Sequence, residues 1–539
     1  MARRRLVVAA AVTAVGMGVV AATGLSAGGS HSYFRPGNLL VTRSVYDNNA
    51  ANVTLGAPLP TGSPAVADGS YPSVWNNDTA DGSFGVTSPI YLDQLTPSGT
   101  RVNSLEVPNS LQASVGPTQN QMVTSFSSKS ELALNLATNG HSVSFMGYLA
   151  PVNALDVSNS NTPGLVDPTN PMTSAYYRVV AQVDQHGTFH FTTTNAYSGN
   201  NGRAAILNAG ANVLYTAGNA GNGSNPQPDG VIEGTGAQIL TPKRTAEVTQ
   251  TPGTPTAVGS FNVTQLGDAI DKIGKDTNFR GMTISHNVLY LTKGSGSNGV
   301  NTVYFVDTTG KACLTTGVGV PQPGAKLPTS PLAYNPALVA SEGLTPYNMC
   351  ILKGFPTTLA KSATAFPFGI WFANPKTLYV ADEGNGTNTY DATTGTYSAA
   401  AAQTTAGLQK WVFNAGTGSW SLAYTLQNGL KLGQPYAVAG YPTGDNSATG
   451  LPWAPASDGL RNITGRVNRG GTVTIWAVTS TVSGNGDQGA DPNKLVAITD
   501  HVPATSLPTT ETFRTVDAAA DGAVLRGVSF TPGTTTRNR

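Results

Sequence analysis

Four arginines and one glutamate begin equivalent stretches of a repeated unit, and together they could form a site for an anion. The unit is clearest in RGMTISHNVLYLTKG at 280–294, RAAILNAGANVLYTAG at 203–218 and FGIWFANPKTLYVADEG at 368–384. Its first position holds Arg203, Arg280, Arg461 and Arg526, and in a weaker copy it holds Glu131. Guanidinium groups bind carboxylate, phosphate and sulfate groups through paired hydrogen bonds. If the fold gathers these positions, we expect an anion site with Glu131 at its rim.

The same arginines could instead tie neighbouring parts of the fold together, since buried charges in structural roles are generally paired. A structural role predicts that protein groups compensate every guanidinium. A binding role predicts donors that point into an open channel. Both interpretations stay open at the level of the sequence.

A Gly-rich loop after one repeat carries oxygen atoms of the kind that bind Ca²⁺. In ADEGNGTNTYD, from Ala381 to Asp391, the candidate ligands are Asp382, Glu383, Asn385 and Asp391. Closely spaced carboxylate and amide oxygens on a loop suit Ca²⁺, although the spacing differs from that of the twelve-residue, helix-flanked calcium loop. Exposed polar turns have a similar composition, as does a second loop with Asp487 and Asp491. Calcium is therefore a hypothesis, and no other cofactor is implied.

Other catalytic patterns are missing from the sequence. The six histidines are scattered, and none has the spacing of a paired metal ligand. The string GSGSNG at 294–299 matches a dinucleotide fingerprint by letter, but it lies between two predicted strands and opens no helix. No strand-to-helix serine elbow is visible. The catalytic residues, and whether the protein is an enzyme, stay unassigned.

The elements that must position the arginines are β-hairpins. Each unit has two short apolar strands around a Gly/Asn turn, and weaker copies occupy 131–148 and 461–480. A second kind of hairpin lies between the units, for example at 301–317 and 407–426. Two hairpins per repeat give four strands, which is a β-propeller blade. Radial repetition would bring the first positions of the units together around a central channel.

The two ends of the chain each carry half of a blade. RGVSFTPG at 526–533 lacks a second strand, and NLLVTRSV at 38–45 lacks a first partner. Pairing them closes the ring and removes exposed strand edges. We therefore expect an all-β propeller of four-stranded blades, with six blades favoured. Seven blades is the alternative if the region 320–360 or 430–460 hides another one.

The N-terminus has the order of a secretory signal peptide. Basic residues Arg3 to Arg5 precede an apolar run from Leu6 to Ala22, and small residues follow. The run is shorter than the roughly 20 residues that span a bilayer. We expect a signal peptide at 1–27, one propeller domain at 28–533 and a short disordered tail at 534–539. After cleavage of the signal peptide, no segment should span the membrane. The sequence leaves both the Sec and the Tat export routes open. The only two cysteines, Cys313 and Cys350, would then meet an oxidising environment and form a disulfide.

The charge of the chain is sparse and balanced. Lysine and arginine number 30 and aspartate and glutamate number 29, and charged residues make up 11% of the chain. No net field would attract phosphate backbones or anionic lipid, so we expect no nucleic-acid partner. The 62 glycines and 35 prolines indicate many turns. We expect a monomer.

These blade motifs resemble those of secreted bacterial β-propellers, a class with quinoprotein-like, lactonase-like, phytase-like and polysaccharide-lyase members. The turns DTTG at 307–310 and DATTG at 391–395 are similar to outer turns of quinoprotein-type blades. The tryptophan docking pattern of those enzymes is not repeated, which counts against a quinone cofactor. The resemblance implies an architecture that binds an extracellular small molecule, glycan or protein partner through one face. The alternative is an extracellular hydrolase or lyase that acts on an anionic substrate, with or without Ca²⁺.

Overall fold

A computed structural model places the chain in six small β-sheets arranged in a ring, which is a six-bladed β-propeller. The structure describes residues 32–47, 49, 52, 86–116, 120–126, 128, 131–154, 176–197, 200–219, 231–232, 236–244, 254–255, 278–294, 299–312, 317–330, 349–358, 362–486 and 488–535. The expected signal peptide, Cys313, Asp487 and residues 536–539 lie outside this part of the chain. Within it, no helix is long and apolar enough to cross a membrane.

The described strands are short, and they follow one another along the chain with little helix between them. The first are β1 (Leu39–Val45), β2 (Thr87–Ser88), β3 (Ile90–Leu95), β4 (Arg101–Glu106), β5 (Thr124–Ser125), β6 (Asn135–Leu136), β7 (Ser142–Tyr148), β8 (Arg178–Asp184), β9 (Phe189–Thr194), β10 (Gly202–Asn208) and β11 (Val213–Gly218). Next are β12 (Val231–Ile232), β13 (Ala237–Leu240), β14 (Thr254–Pro255), β15 (Phe279–Ser285), β16 (Val288–Lys293), β17 (Thr302–Val306), β18 (Val318–Gly319), β19 (Met349–Leu352), β20 (Pro367–Asn374) and β21 (Thr377–Asp382). The last are β22 (Tyr390–Asp391), β23 (Thr396–Tyr397), β24 (Gly407–Asn414), β25 (Ser419–Leu426), β26 (Asp445–Asn446), β27 (Leu451–Pro452), β28 (Ala456–Val467), β29 (Thr472–Val482), β30 (Lys494–His501), β31 (Arg514–Ala518) and β32 (Ala523–Phe530). One α-helical turn, α1 (Ser398–Ala401), and a 3₁₀ turn at Gln488–Ala490 complete the described elements.

Each blade is a small, mostly antiparallel sheet whose first strand lies at the channel. Around the ring the strand orders are β32-β1-β3-β4, β6-β7-β8-β9, β10-β11-β13, β15-β16-β17-β19-β18, β20-β21-β24-β25 and β28-β29-β30-β31. The innermost strands β32, β6, β10, β15, β20 and β28 each contact the next, so the ring is closed. Six blades are therefore confirmed. Within the region 320–360, one of the two proposed for a seventh blade, the described strand β19 joins the fourth blade. The described part of the third blade has three strands.

The prediction that the two chain ends share one blade is confirmed. Strand β32 runs antiparallel to β1, with Leu39 opposite Phe530 and Val45 opposite Ala523. The N–H of Thr531 continues this pairing by donating to the carbonyl of Asn38 at 3.0 Å. The ring is thus closed by backbone hydrogen bonds between residues nearly five hundred positions apart, as expected for a propeller that must satisfy its edge strands.

Large side chains fill the space between adjacent blades. Trp476 and Tyr379 are almost fully buried, and so are Tyr304 and Phe145.

The inner hairpin of the fourth blade turns tightly, because His286 and Asn287 have φ values of 50° and 61°. Two consecutive left-handed residues are the signature of a two-residue type I′ hairpin. This turn chemistry explains why the HN pair separates β15 from β16.

Five of the six innermost strands share a β-bulge at the first position of the repeat, and β6 is the exception. The pairing register shifts at or beside Arg203, Arg280, Phe368, Arg461 and Arg526. A bulge takes one residue out of the ladder and re-aims its side chain. This repeated irregularity turns the first-position side chains toward the neighbouring blades around the channel.

The two ends of the channel differ in the loops they carry. The inner hairpins turn within five residues or fewer, at 137–141, 209–212, 286–287, 375–376 and 468–471. The bulged ends of the same strands meet the longer connections, such as 383–406 between β21 and β24 and 427–455 before β28. We name these the turn end and the loop end of the channel. Loops on a rigid scaffold are where binding groups concentrate, which directs attention to the loop end.

Candidate functional site at the loop end of the channel

One carboxylate joins three blades at the loop end. Nε of Arg461, on β28, lies 3.1 Å from Oε2 of Glu383, and a terminal nitrogen of Arg280, on β15, lies 3.7 Å from Oε1. Glu383 directly follows β21, in the blade between them. Its backbone is fixed on both sides, because its N–H donates to the carbonyl of Phe366 at 3.0 Å and its carbonyl accepts from the Ser480 hydroxyl at 2.5 Å. The Glu383 side chain is therefore held between two guanidinium groups.

Arg203 adds a third guanidinium to this group. It donates to the carbonyl of Phe279 at 3.0 Å and to the side chain of Asn278, both in the next blade. Burial lowers the pKa of Arg203 well below its usual range, and the positive charge of Arg280 lowers it further, while Glu383 raises it. Nε of Arg203 is buried with no hydrogen-bond partner in the part of the chain that the structure describes. We call Arg203, Arg280, Arg461 and Glu383 the arginine cluster.

Two buried aspartates lie beside the arginine cluster. Burial raises the pKa of Asp382 to about 7 and that of Asp458 to about 6, and the charge of Glu383 raises both. Hydrogen bonds oppose the effect: Asp382 accepts from the N–H of Phe366 at 2.8 Å, and Asp458 accepts from the N–H of Gly386 at 2.8 Å. Both carboxyl groups therefore change charge near neutral pH, so acidification makes the surroundings of the cluster more positive.

Arg526 and Glu131 form a second group in the ring. Arg526 donates to the carbonyl oxygens of Phe126 and Ser128, which fix it against the connection before the second blade. Glu131 accepts hydrogen bonds from the hydroxyls of Thr124 at 2.6 Å and Tyr148 at 2.7 Å. Burial raises the pKa of Glu131, and the nearby positive charge of Arg526 lowers it. Arg526 thus has the carbonyl contacts that a structural role predicts.

The structure brings the expected ring residues together in two sets rather than one. Arg280 and Arg461 pair with Glu383, and Arg203 feels the charges of Arg280 and Glu383, whereas Arg526 acts on Glu131. The exposed fraction of these arginines is between 4% and 8%, so any ligand would have to be almost fully desolvated. Sequence reasoning missed the partnership of Glu383 with the arginines and the presence of Asp458. No local pattern could show either, because Glu383 and Arg461 are 78 positions apart.

Each residue proposed as a calcium ligand has its own interaction partners within the protein. Asp382 and Glu383 have the contacts described above, while the Asn385 side chain accepts from the N–H of Thr387 at 2.8 Å. Asp391 accepts from the N–H of Thr393 at 2.8 Å and the hydroxyl of Thr394 at 3.0 Å, and the first of these bonds lowers its pKa most. Among the described residues, no three His, Cys, Asp or Glu side chains are grouped so that they could hold a metal ion. The calcium site stays a prediction.

Comparisons with known proteins assign no family. No protein-family model matches the chain, and no curated protein matches it. An ACO/RPE65 chimera aligns with 84% of the chain at 7% identity and a TM-score of 0.21. Two variants of an apocarotenoid oxygenase from Synechocystis align with 83% of it at 7% identity, with TM-scores of 0.20 and 0.21. The chain spans 60% of the length of those chains. Its own topology defines the class, a six-bladed β-propeller with a charged cluster at one end of its channel.

Proposed function

We propose that this protein is an exported binding protein that holds an anionic group of its ligand at the arginine cluster. The observation that carries the proposal is that the carboxylate of Glu383 is ion-paired with both Arg280 and Arg461, while the charges of Arg280 and Glu383 both act on the buried Arg203. Like charges in a poorly hydrated channel repel, and a bound anion would relieve that repulsion. The ligand would be an extracellular small molecule or glycan that carries a carboxylate, sulfate or phosphate group.

Two further observations support the loop end as the binding end. Nε of Arg203 is a buried donor without a partner in the described residues, and an anion beside it would satisfy it. The long connections 383–406 and 427–455 also meet the channel at this end, where they could contact the rest of a ligand. An anion there would receive charge-assisted hydrogen bonds, which are stronger than neutral ones.

A hydrolase or lyase that acts on an anionic extracellular substrate is the second candidate. It is favoured by Asp382 and Asp458, whose pKa values of about 7 and about 6 suit general acid–base chemistry beside a cationic binding group. Its test is depolymerisation of uronic-acid polysaccharides, followed as new reducing or unsaturated ends. Activity that Asp458→Asn abolishes, with ligand binding retained, would favour the enzyme over the binding protein.

The proposal includes export and a disulfide. The apolar run from Leu6 to Ala22 supports a cleaved signal peptide. Cys350 is buried in β19 of the fourth blade, and Cys313 lies outside the described residues. N-terminal sequencing of the secreted protein should begin near residue 28, and thiol titration under denaturing conditions should find no reactive thiol. Two reactive thiols would exclude the disulfide.

Anion-dependent thermal stability tests the binding site. Glucuronate at ten times its dissociation constant should raise the melting temperature by about 2 °C, and glucose at the same concentration should not. Arg203→Gln should lose this response, because the change removes one guanidinium group of the proposed site. Arg203 is the residue to change because it donates to Asn278 and the Phe279 carbonyl, so the substitution leaves no carboxylate without its partner. Arg244→Gln, at an exposed position, is the matched control. Equal shifts in the wild type and Arg203→Gln, measured at constant ionic strength, would reject the site.

A further inference from the structure

A cavity of about 500 Å³ lies at the turn end of the channel, opposite the arginine cluster. All six innermost strands contribute to its wall, through Leu136, Ile206, Ile284, Trp371, Gly465 and Phe530. Sites for small organic ligands typically have volumes of about 300–1,000 Å³ and are mostly apolar with a few polar groups. The cavity has the size and position of such a site.

The wall of the cavity offers a flat aromatic surface. The indole of Trp371 lies directly against Gly465, where even a Cβ atom would overlap the ring. Trp371 is only partly buried, so part of its ring remains accessible from the cavity. The uncharged polar residues of the wall are Asn135, Thr283, Thr464, Asn468, Ser529, Thr534 and Thr535. This surface suits a planar, apolar molecule.

The rim of the cavity is positively charged. Arg466 and Arg469 line it from the end of β28 and the turn that follows, and both are exposed. Among the described residues, no acidic side chain lines the cavity. The guanidinium of Arg466 lies 5.6 Å from the centre of the Trp476 ring. Neither arginine forms an ion pair with a carboxylate in the part of the chain that the structure describes. The apolar wall therefore opens through a mouth that favours negative charge.

We propose that this cavity binds a small hydrophobic anion, an aromatic carboxylate or sulfonate. Its ring would lie against Trp371, and its anionic group would lie at the mouth beside Arg466 and Arg469. The site differs from the arginine cluster in chemistry, because it combines apolar area with two exposed cations rather than a buried ion pair. It also lies at the opposite end of the channel, so it does not depend on the function proposed above.

The test uses two fluorescent probes that differ mainly in charge. 1-Anilinonaphthalene-8-sulfonate carries a sulfonate, whereas N-phenyl-1-naphthylamine has the same rings and no charge. The sulfonate probe should bind the native protein at one site per chain, with increased fluorescence and energy transfer from tryptophan. The double variant Arg466→Gln, Arg469→Gln should bind it at least tenfold more weakly and should change the affinity of the neutral probe less than threefold. Arg244→Gln should behave as the wild type.

Substitutions in the wall locate the probe. Thr283→Trp should fill part of the cavity and abolish binding of both probes. Trp371→Leu is the second variant, which keeps the test available if Thr283→Trp does not fold, and it should weaken binding of both probes. Circular dichroism and the melting temperature of each variant show that the native fold is retained, since partly unfolded proteins also bind the sulfonate probe. Wild-type affinity in both folded wall variants would overturn the cavity as the site. Equal binding of the two probes by the wild type would overturn the anionic character of the ligand.

Discussion

The hydroxyl group of Thr292 donates a 2.5 Å hydrogen bond to the carbonyl oxygen of Phe368 in the next blade. The same hydroxyl accepts from the N–H of Gly281 at 2.9 Å, so it connects the bulges of two adjacent innermost strands. Gly281 also faces the Phe368 carbonyl so closely that a Cβ atom would overlap it. Gly369 approaches the Arg461 carbonyl in the same way. The blades around the loop end are therefore fitted together through backbone atoms.

Adding a methyl group at this contact should separate the fourth and fifth blades. Gly281→Ala should lower the free energy of unfolding by roughly 2 kcal/mol or more, because the obstacle is backbone and cannot rotate away. Gly210→Ala is the matched control: its Cβ would meet only an ordinary contact, and a change within about 0.5 kcal/mol is expected. Urea unfolding followed by tryptophan fluorescence measures both. Equal midpoints for the two variants would contradict this role of Gly281.

Closure of the ring predicts an unequal response to two truncations. Removing residues 523–539 deletes β32 and leaves β1 with an unpaired edge, so the protein should aggregate or fail to accumulate. Removing only residues 536–539 keeps β32 and the 2.8 Å hydrogen bond from the Gly37 N–H to Thr534, so stability should be unchanged. Expression yield, size-exclusion profile and melting temperature distinguish the two. A stable, monomeric product of the longer truncation would show that the closing strand pair is dispensable.

The repeat in the sequence predicted the hairpins and the arginines that begin them, because these depend on local pattern. It could not predict which side chains from different blades pair with one another. Arg280 and Arg461 could be placed at the channel because each begins a recognisable hairpin. Glu383 was interpreted as a calcium ligand because it lies among glycines and polar residues. Its partners come from two other blades, and a sequence does not show which side chains face one another around the axis.

The buried ion pair of Lys410 with Asp500 was missed for the same reason. The two residues belong to different blades, and no sequence pattern links them. The bulges were missed as well. One extra residue in a strand leaves no distinct signal, although it decides where each first-position side chain points.

The buried carboxyl group of Asp491 should make the protein less stable as the pH rises toward neutrality. Burial raises its pKa to about 7, although it accepts hydrogen bonds from Tyr441 at 2.8 Å and Ser483 at 3.0 Å. Below about pH 4 the group is protonated in both the folded and the unfolded chain. Between about pH 4 and pH 7 only the unfolded chain loses the proton, so the free energy of unfolding falls through this window and levels off above it.

Asp491→Asn removes this titration while keeping the shape of the side chain. A pKa raised from about 4 to about 7 corresponds to on the order of 4 kcal/mol, which sets the scale of the lost pH dependence. Chemical denaturation of wild type and variant at pH 5, 6, 7 and 8 measures it. The variant should have the flatter profile, and its stability relative to the wild type should improve as the pH rises. Parallel profiles would show that Asp491 titrates at its ordinary pKa.

The ion pair between Lys410 and Asp500 joins the fifth and sixth blades inside the protein. Nζ of Lys410 lies 2.9 Å from Oδ2 of Asp500, and both side chains are 0% exposed. The hydroxyl of Tyr424 donates to Oδ1 of Asp500 at 2.6 Å, and the hydroxyl of Tyr379 donates to Oδ2. Burial, together with the charge of Asp500, raises the pKa of both tyrosines, so they remain donors at every physiological pH. Glu511 also shares a hydrogen bond with Asp500, and burial raises the pKa of Glu511 to about 7, so Lys410 faces two carboxyl groups.

Breaking this pair from one side should cost more than removing it entirely. Lys410→Met leaves Asp500 buried and unpaired, and Asp500→Leu leaves Lys410 in the same state, so each should cost about 3–5 kcal/mol. The double variant Lys410→Met, Asp500→Leu removes both charges, and its loss should be smaller than either single loss and therefore well below their sum. As the exposed counterpart, the pair Arg101 and Asp517 at 3.4 Å should give a coupling energy below about 1 kcal/mol. Additive losses at Lys410 and Asp500 would mean that the ion pair does not stabilise the interface between the blades.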